Sequence, residues 1–335
     1  MSIVIIKPGL LETVQDLGRS GYSRLGVNPG GAMDRYACRL GNILAGNEVE
    51  EAVLEIHFPG PQILFEEDAL ICITGADFMP TLNDDPIPLW QPVLIRKNTV
   101  LQFPGLKSGA RTYMAVHGGF KIEPWLNSYS TNLRAMAGGW KGRKLEKGDE
   151  IFFRSGRIPV SQLFRSENNF QVLPWRADIS RVYNSANQVA ITPGREWNLL
   201  SEESKRDLLN LSFQIDSSSD RMGYNLNGKP LQLAGEVEEM VSAAVTFGTI
   251  QLLPGGQMVV LMADHQVSGG YPRIAHIVSA HLPRLAQFRS NESVSFRLES
   301  VEDAEEMYFN HQKDIQILQR ASAEQLNRVH AASRS

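Results

Sequence analysis

A long-period repeat of turn motifs constrains the fold of this chain more than any other feature. Ile6-Lys7-Pro8-Gly9 is followed by Asp16-Leu17-Gly18-Arg19-Ser20-Gly21-Tyr22. Far downstream, Ile191-Thr192-Pro193-Gly194 is followed by Ser218-Ser219-Asp220-Arg221-Met222-Gly223-Tyr224. The order continues with Pro59-Gly60 against Pro254-Gly255, Thr74-Gly75-Ala76-Asp77-Phe78 against Ser268-Gly269-Gly270-Tyr271, and Phe103 against Phe296. Ile6 to Ile191 spans 185 positions, Arg19 to Arg221 spans 202 and Pro59 to Pro254 spans 195. The excess in the middle matches one insertion, for which residues 201–209 read as a short helix. A period this long marks a duplicated domain, not a solenoid. Two related domains would create a cleft, where ligand sites commonly form.

The 335 residues suffice for two domains with separate cores. No apolar run approaches the roughly 20 residues of a membrane span, and the opening residues lack a basic leader or signal core, so a cytoplasmic protein is expected. Cys38 and Cys72 sit in apolar surroundings without a CxxC spacing, which reads as buried thiols. A net charge of −4 with interspersed signs argues against a nucleic-acid surface and leaves small molecules or proteins as partners.

Short segments rich in β-branched and aromatic residues predict strands at 3–6, 69–74, 93–96, 99–103, 112–116, 151–154, 213–216, 257–262 and 293–298. Many short strands with Gly/Pro turns predict a mainly β protein built of barrels or sandwiches. Helices are expected at 32–44, at the insertion and at 276–286. The predicted organisation is a first barrel over 1–155, a linker over 156–188, a second barrel over 189–300 and an amphipathic C-terminal helix over 301–335. That helix carries Tyr308, His311, Ile315, Leu318, Ser322, Leu326 and Val329 at helical spacing, for docking at home or on a partner.

Among the Gly-rich runs, Pro29-Gly30-Gly31-Ala32 is the strongest anion-site candidate, because two glycines entering a helix would aim backbone amides at a negative group. None of these runs fits GxxxxGK[ST] or a strand-borne GxGxxG. Asp16, Arg19 and Tyr22, with Asp220, Arg221 and Tyr224, place charged and phenolic groups on turns between strands. Each Arg serves either in ligand recognition or in pairing with the Asp of its own turn. The densest polar segment, Asp264-His265-Gln266-Val267-Ser268-Gly269-Gly270-Tyr271, is the best catalytic candidate. Asp264 suits a general base or an orienting group, Gln266 and Ser268 suit amide recognition, and Tyr271 suits proton donation or stacking. Strand alternation directs His265 away from Asp264, the remaining histidines are scattered, and no metal site is expected.

With these residues laid out, the chain resembles the allophanate hydrolase subunit 2 family, also described as biotin-dependent carboxyltransferase or KipA-like proteins. The segments that carry the resemblance are 12–22, Gly30-Gly31-Ala32-Met33-Asp34, Ser130-Thr131 with Arg134-Ala135, 219–224, Gly248-Thr249-Ile250-Gln251, Gly269-Gly270-Tyr271-Pro272 and Leu282-Pro283-Arg284-Leu285-Ala286-Gln287. The resemblance implies two cyclophilin-like β-barrels in tandem. It also implies a role as the C component of an ATP-dependent 5-oxoprolinase, working with a KipI-like B component and an ATP-using A component. Two alternatives follow from the same family: biotin-dependent carboxyl transfer to urea or a small amide, and non-catalytic antagonism of a KipI-like kinase inhibitor. In the leading reading, Arg19 and Arg221 recognise a carboxylate or phosphate and Gly30-Gly31 supply oxyanion-type amides. Asp264, Gln266 and Tyr271 orient or protonate the ring amide, with Ser268 beside them. The chain departs from the family pattern at Tyr129, Asn132, Ala243, His265, Val267 and His281. An acid is expected at positions 243 and 281.

Overall fold

A computed structural model describes residues 1–156, 158–183, 187–235 and 240–333. Residues 157 and 184–186 of the expected linker, and the last two of the expected helix, lie outside the described residues. The chain forms two compact units that are discontinuous in sequence. One comprises Met1–Gly18, Asp34–Asp178 and Lys313–Ser335, and the other Arg19–Met33 and Ile179–Gln312.

In the second unit seven strands close into a barrel. Their order is Gln188–Pro193, Arg273–Ile277, Thr249–Leu252, Met258–Leu261, Gly223–Asn227, Ser212–Ile215 and Ser293–Leu298, which returns to the first. The closing pair is parallel, with Val189 opposite Phe296, and the other pairs are antiparallel. Alternation explains the core: Phe213 and Ile215 point in while Ser212 and Gln214 face out. Phe213 and Phe296 meet at 6.1 Å between ring centroids, among Val189, Ile191, Leu226, Ile250, Val260 and Val294.

In the first unit the strands form two six-stranded sheets over one core. One sheet is built around Ser2–Lys7, Gln62–Phe65 and Thr99–Gln102, and the other around Ala69–Asp77, Ser108–Val116 and Val53–His57. Ile3, Ile63 and Leu101 of the first meet Leu54, Ile71, Val93 and Met114 of the second in that core. The helix Arg35–Leu44 lies in this unit. It begins three residues later than the sequence reading, because Asp34 Oδ1 accepts the Ala37 amide at 2.9 Å and caps the first turn.

The repeated Pro-Gly turn has a steric basis in both copies. A Cβ at Gly9 would lie 2.3 Å from the Pro59 carbonyl oxygen, and one at Gly194 would lie 2.1 Å from that of Arg273. Only glycine lets these backbones approach. The repeat loses its register further along, since Thr74 to Asp77 belong to a nine-residue core strand while Ser268–Gly269 is a two-residue strand outside the barrel. The helix expected over 276–286 is also corrected. Arg273–Ile277 is a barrel strand, and only Leu282–Ala286 is α-helical. The apolar residues Ile274, Ala275 and Ile277 are drawn into the ladder with Thr249–Leu252, and this tertiary pairing overrides the local helical spacing.

The expected C-terminal helix spans Val301–Ala332. In the first unit, Leu326 packs with Leu70, Leu94, Leu163 and Leu173. Ser322 Oγ accepts from Trp175 Nε1 (3.2 Å) and donates to the Ile43 carbonyl (3.0 Å). In the second unit, Ala304 and Met307 cover Ala190, Val278 and Ala280. Much of the expected linker is also packed, with Phe170–Val172 added as an edge strand to Pro92–Ile95.

Glu12 is fully buried on the strand Glu12–Gln15. Burial pushes its carboxyl up to about 7 from an ordinary value of 4.5, against the opposing pull of the Gly9 amide and Lys144. A carboxyl raised by folding stabilises fully below its unfolded pKa, and that contribution is lost as pH rises through the folded value. Glu12 therefore weakens the fold between about pH 4.5 and 7, by on the order of 3 kcal/mol at most. Glu12→Gln should melt higher than wild type at pH 8 and close to it at pH 4.5. Melting curves that stay parallel across this range would contradict the assignment.

Candidate functional site

The second unit assembles five of the candidate residues. Arg221 opens the strand Gly223–Asn227 from one side and Asp264 follows the end of its neighbour Met258–Leu261, so antiparallel pairing brings the two together. Arg221 Nε donates to Asp264 Oδ2 at 2.8 Å and Nη2 to Oδ1 at 3.0 Å, while the Asp264 amide donates to the Arg221 carbonyl at 2.8 Å. Side-chain exposures of 7% and 16% make this a largely buried fork-to-carboxylate pair. Arg221 Nη2 also donates to the Gly31 carbonyl at 2.6 Å, and Asn28 Nδ2 to the Asp264 carbonyl at 3.1 Å.

Arg19 completes the cluster. Its amide donates to the Pro29 carbonyl at 2.7 Å and its side chain is buried. Gly30, at φ 60°, sits between the two charges: a Cβ there would lie 2.9 Å from Arg19 Nη1 and 3.6 Å from Asp264 Oδ1. The loop 28–31 is thus clamped by Arg19, Arg221 and Asp264. Gly31 contributes a carbonyl to Arg221, and the first turn of the following helix is capped by the Asp34 carboxylate. The sequence expectation that Gly30-Gly31 open directly onto helix amides is corrected accordingly.

Both carboxylate oxygens of Asp264 are therefore occupied by one guanidinium. The pairing also settles what the repeated Arg turn does in this unit. Arg221 takes Asp264 as its partner, while Asp220 accepts the amides of Met222 (2.7 Å) and Gly223 (3.3 Å) within its own turn. In the first unit Asp16 binds a different segment. It accepts from the Gly18 amide (2.7 Å), Ser128 Oγ (2.8 Å), the Tyr129 amide (2.6 Å) and Ser130 Oγ.

The remaining candidates are placed apart. His265 is buried, with Nδ1 2.5 Å from the Gln266 carbonyl. Gln266 is exposed at its surface and donates to Gln251 Oε1 at 3.4 Å. Ser268 lies in a two-residue ribbon opposite Ala244, with Gly269 opposite Ala243. Tyr271 is 43% exposed and stands at the other end of the barrel wall. There the Pro272 carbonyl accepts the Leu252 amide at 2.9 Å, and Tyr271 lines a cleft of about 550 Å³ with Leu231, Leu233, Met240 and Leu253. Asp264 and Tyr271 therefore do not face one reacting atom.

Gln251 is a functional candidate that reading the sequence missed. It faces away from the barrel interior, yet it is fully buried, and its Nε2 has no hydrogen-bond partner among the described residues. A Cβ at Gly269 would lie 2.5 Å from that nitrogen. The available signal was the polar residue alternating with Ile250 and Leu252 inside a strand. At the position of a family acid, Ala243 brings no charge. Arg273 nearby is neutralised by Glu196, with Nε and Nη2 donating at 3.0 and 2.8 Å. At the other such position, His281 Nδ1 accepts from the Ala190 amide (3.0 Å) and from Arg284 Nη2 (2.7 Å). Burial and Arg284 hold that imidazole down at about 3, so it serves as a neutral acceptor where an acid is expected.

Both cysteines are buried and free, and burial raises both thiols. Among the described residues no cluster of His, Cys, Asp and Glu could hold a metal ion, and no helix is long and apolar enough to cross a membrane.

Comparison with known proteins places this architecture. The family model "Carboxyltransferase domain, subdomain A and B" matches residues 25–298. A protein of Haemophilus influenzae named as the C subunit of 5-oxoprolinase is 36% identical over 292 residues, covering 87% of this chain and 89% of the relative. One of the same name from Escherichia coli is 33% identical over 305 residues, covering 90% and 92%. The crystal structure of Kluyveromyces lactis urea carboxylase superposes with a TM-score of 0.85 at 27% identity over 96% of this chain, which spans only 29% of that larger protein.

Proposed function

This chain belongs to the carboxyltransferase domain family, subdomains A and B, and from that premise we propose that it is the C component of an ATP-dependent 5-oxoprolinase, a complex that opens the lactam of 5-oxoproline to glutamate. The observation that carries the reading is the pair of relatives bearing this name, at 36% and 33% identity over about nine-tenths of each chain. The partners are a KipI-like B component and an ATP-using A component, and the chain is not active alone.

A resonance-stabilised amide does not yield to water at a useful rate unaided. Phosphorylation of the lactam oxygen by a partner makes the carbonyl carbon electrophilic. Water then adds to that carbon and the ring C–N bond breaks with a proton passing to nitrogen, which leaves an acyl phosphate; a second water hydrolyses it to glutamate and inorganic phosphate. The helix after Gly30-Gly31 is capped by the Asp34 carboxylate, which opposes a phosphate at that one terminus. The role left to these residues is orientation. Arg19 matches a carboxylate or phosphate in a bidentate way, Arg221, whose fork is held by Asp264, fixes the loop at Gly31 beside it, and Gln266 and Gln251 offer amide groups to the ring. Tyr271 and Ser268 enter as substrate contacts only if the 264–271 segment is rearranged by a partner.

Reconstitution tests the reading. ATP-dependent glutamate release from 5-oxoproline is measured with all three components and with each omitted. Turnover that vanishes when this chain is left out is the expected result. Undiminished turnover without it would sink the proposal. The likeness to urea carboxylase favours a second reading, biotin-dependent carboxyl transfer to urea or a small amide. It requires a biotinylated carrier, and carboxylation of urea in its presence would distinguish the two. A stable complex with KipI-like protein and neither activity would support the regulatory role.

A further inference from the structure

The C-terminal helix lies beyond the region matched by the family model, which ends at residue 298. Within the second unit its first three turns have two unlike faces. Ala304 and Met307 pack inward on Ala190, Val278 and Ala280. Val301, Tyr308 and Phe309 point outward with 57%, 45% and 65% exposure, and the two rings meet edge to face at 5.8 Å. These three occupy positions i, i+7 and i+8, one stripe of a helix. Such spacing is that of an amphipathic helix presenting anchors to a groove.

Along this part of the helix itself the charges are of one sign. Glu302, Asp303, Glu305 and Glu306 are all exposed, and no Lys or Arg occurs between Val301 and Gln312. Glu302 and Asp303 are accounted for locally, since acids favour a helix N-terminus and Asp303 closes a cap with Ser300 at 2.6 and 3.0 Å. Glu305 and Glu306, a turn further on, gain little from the helix dipole. Around the helix Glu305 falls between Tyr308 and Phe309 and Glu306 just beyond Phe309, so the apolar stripe is interleaved with and edged by acids. A second copy of the same face would bring like charges together, and an anionic membrane surface would repel it.

We propose that this face of the C-terminal helix docks into an apolar groove, rimmed by Lys and Arg, on a partner protein of the complex. The proposal rests on the multi-component reading given above. Tyr and Phe anchors in a closed groove carry most of the affinity of such interfaces, while the rim charges set association rate and salt dependence.

The test uses the full chain and the purified B and A components. Dissociation constants are measured for wild type, for Tyr308→Ser/Phe309→Ser and for Glu305→Lys/Glu306→Lys. All substituted side chains are exposed, and circular dichroism and melting temperature should match wild type. Loss of the two anchors should weaken assembly about 30-fold or more. Charge reversal should weaken it about tenfold at low salt, and the difference should shrink as salt rises. Wild-type-like affinity of both folded variants would overturn the docking site while leaving the proposed function intact. No complex with wild type would overturn that function and this site with it. Self-association of the chain alone, abolished by the anchor variant, would overturn the choice of partner.

Discussion

Arg221→Ala is expected to destabilise the protein by about 3–5 kcal/mol, the range for breaking a buried ion pair at one partner. The substitution leaves the Asp264 carboxylate, only 16% exposed, without its guanidinium fork, and takes the donor from the Gly31 carbonyl. Removing both charges should cost less: Arg221→Met/Asp264→Leu leaves no uncompensated ion, and its stability should lie above the sum of the single losses. Arg221→Lys retains the charge but not the bidentate geometry. It should stay folded and lower turnover of the assembled complex at least about tenfold, a cost of about 1.4 kcal/mol in transition-state stabilisation. Chemical denaturation of wild type, Arg221→Met, Asp264→Leu and the double variant, beside Arg221→Ala and Arg221→Lys, with kinetics of the lysine variant, checks the set. Single substitutions that add simply, or a lysine variant with unchanged turnover, would show that the pair neither couples nor positions.

Asp16→Ala should be nearly as damaging, at about 3–5 kcal/mol, because one buried carboxylate serves four donors. Hydroxyls of Ser128 and Ser130 can turn toward other acceptors, but the amides of Gly18 and Tyr129 cannot. The segment from Ser128 to Thr131 is held to the strand Glu12–Gln15 also through Thr131, whose amide and Oγ1 both donate to the Val14 carbonyl at 2.9 and 3.0 Å. Loss of Asp16 should therefore free Tyr129 locally while Thr131 stays protected. Hydrogen exchange resolved by residue would show the Tyr129 amide exchanging faster by a factor of about a hundred or more, as expected for about 3 kcal/mol of local opening. Asp16→Asn keeps the shape but turns one acceptor into a donor facing donors, so it should fall between alanine and wild type. An asparagine variant as stable as wild type would mean that the charge is not needed.

Local sequence was sufficient wherever local geometry decides. Alternation located the barrel strands, as at Ser293–Leu298 and Ser212–Ile215, and the glycine-free run after residue 300 announced the long helix. The Pro-Gly turns at Gly9 and Gly194 were legible as a repeat because the same backbone approach recurs at both. The same reasoning misled at His276, where residues with helical spacing were taken into a ladder by a neighbouring strand.

What the sequence by itself determined was the mainly β class, the barrel strands at its alternating segments, the C-terminal helix and the family. Only the tertiary structure decided which charges meet. Arg221 stands beside Asp220 in the chain but pairs with Asp264, 43 residues away, because antiparallel strands bring a start and an end together. By the same logic Asp264 and Tyr271, seven positions apart, are carried to opposite ends of the barrel wall, since the segment between them runs its length. Segment Arg19–Met33 belongs to the unit formed by the second half of the chain, which no local signal records. Hydrophobic periodicity is a property of neighbours along the chain, whereas ion-pair partners and buried amides such as Gln251 are selected by closure of the barrel.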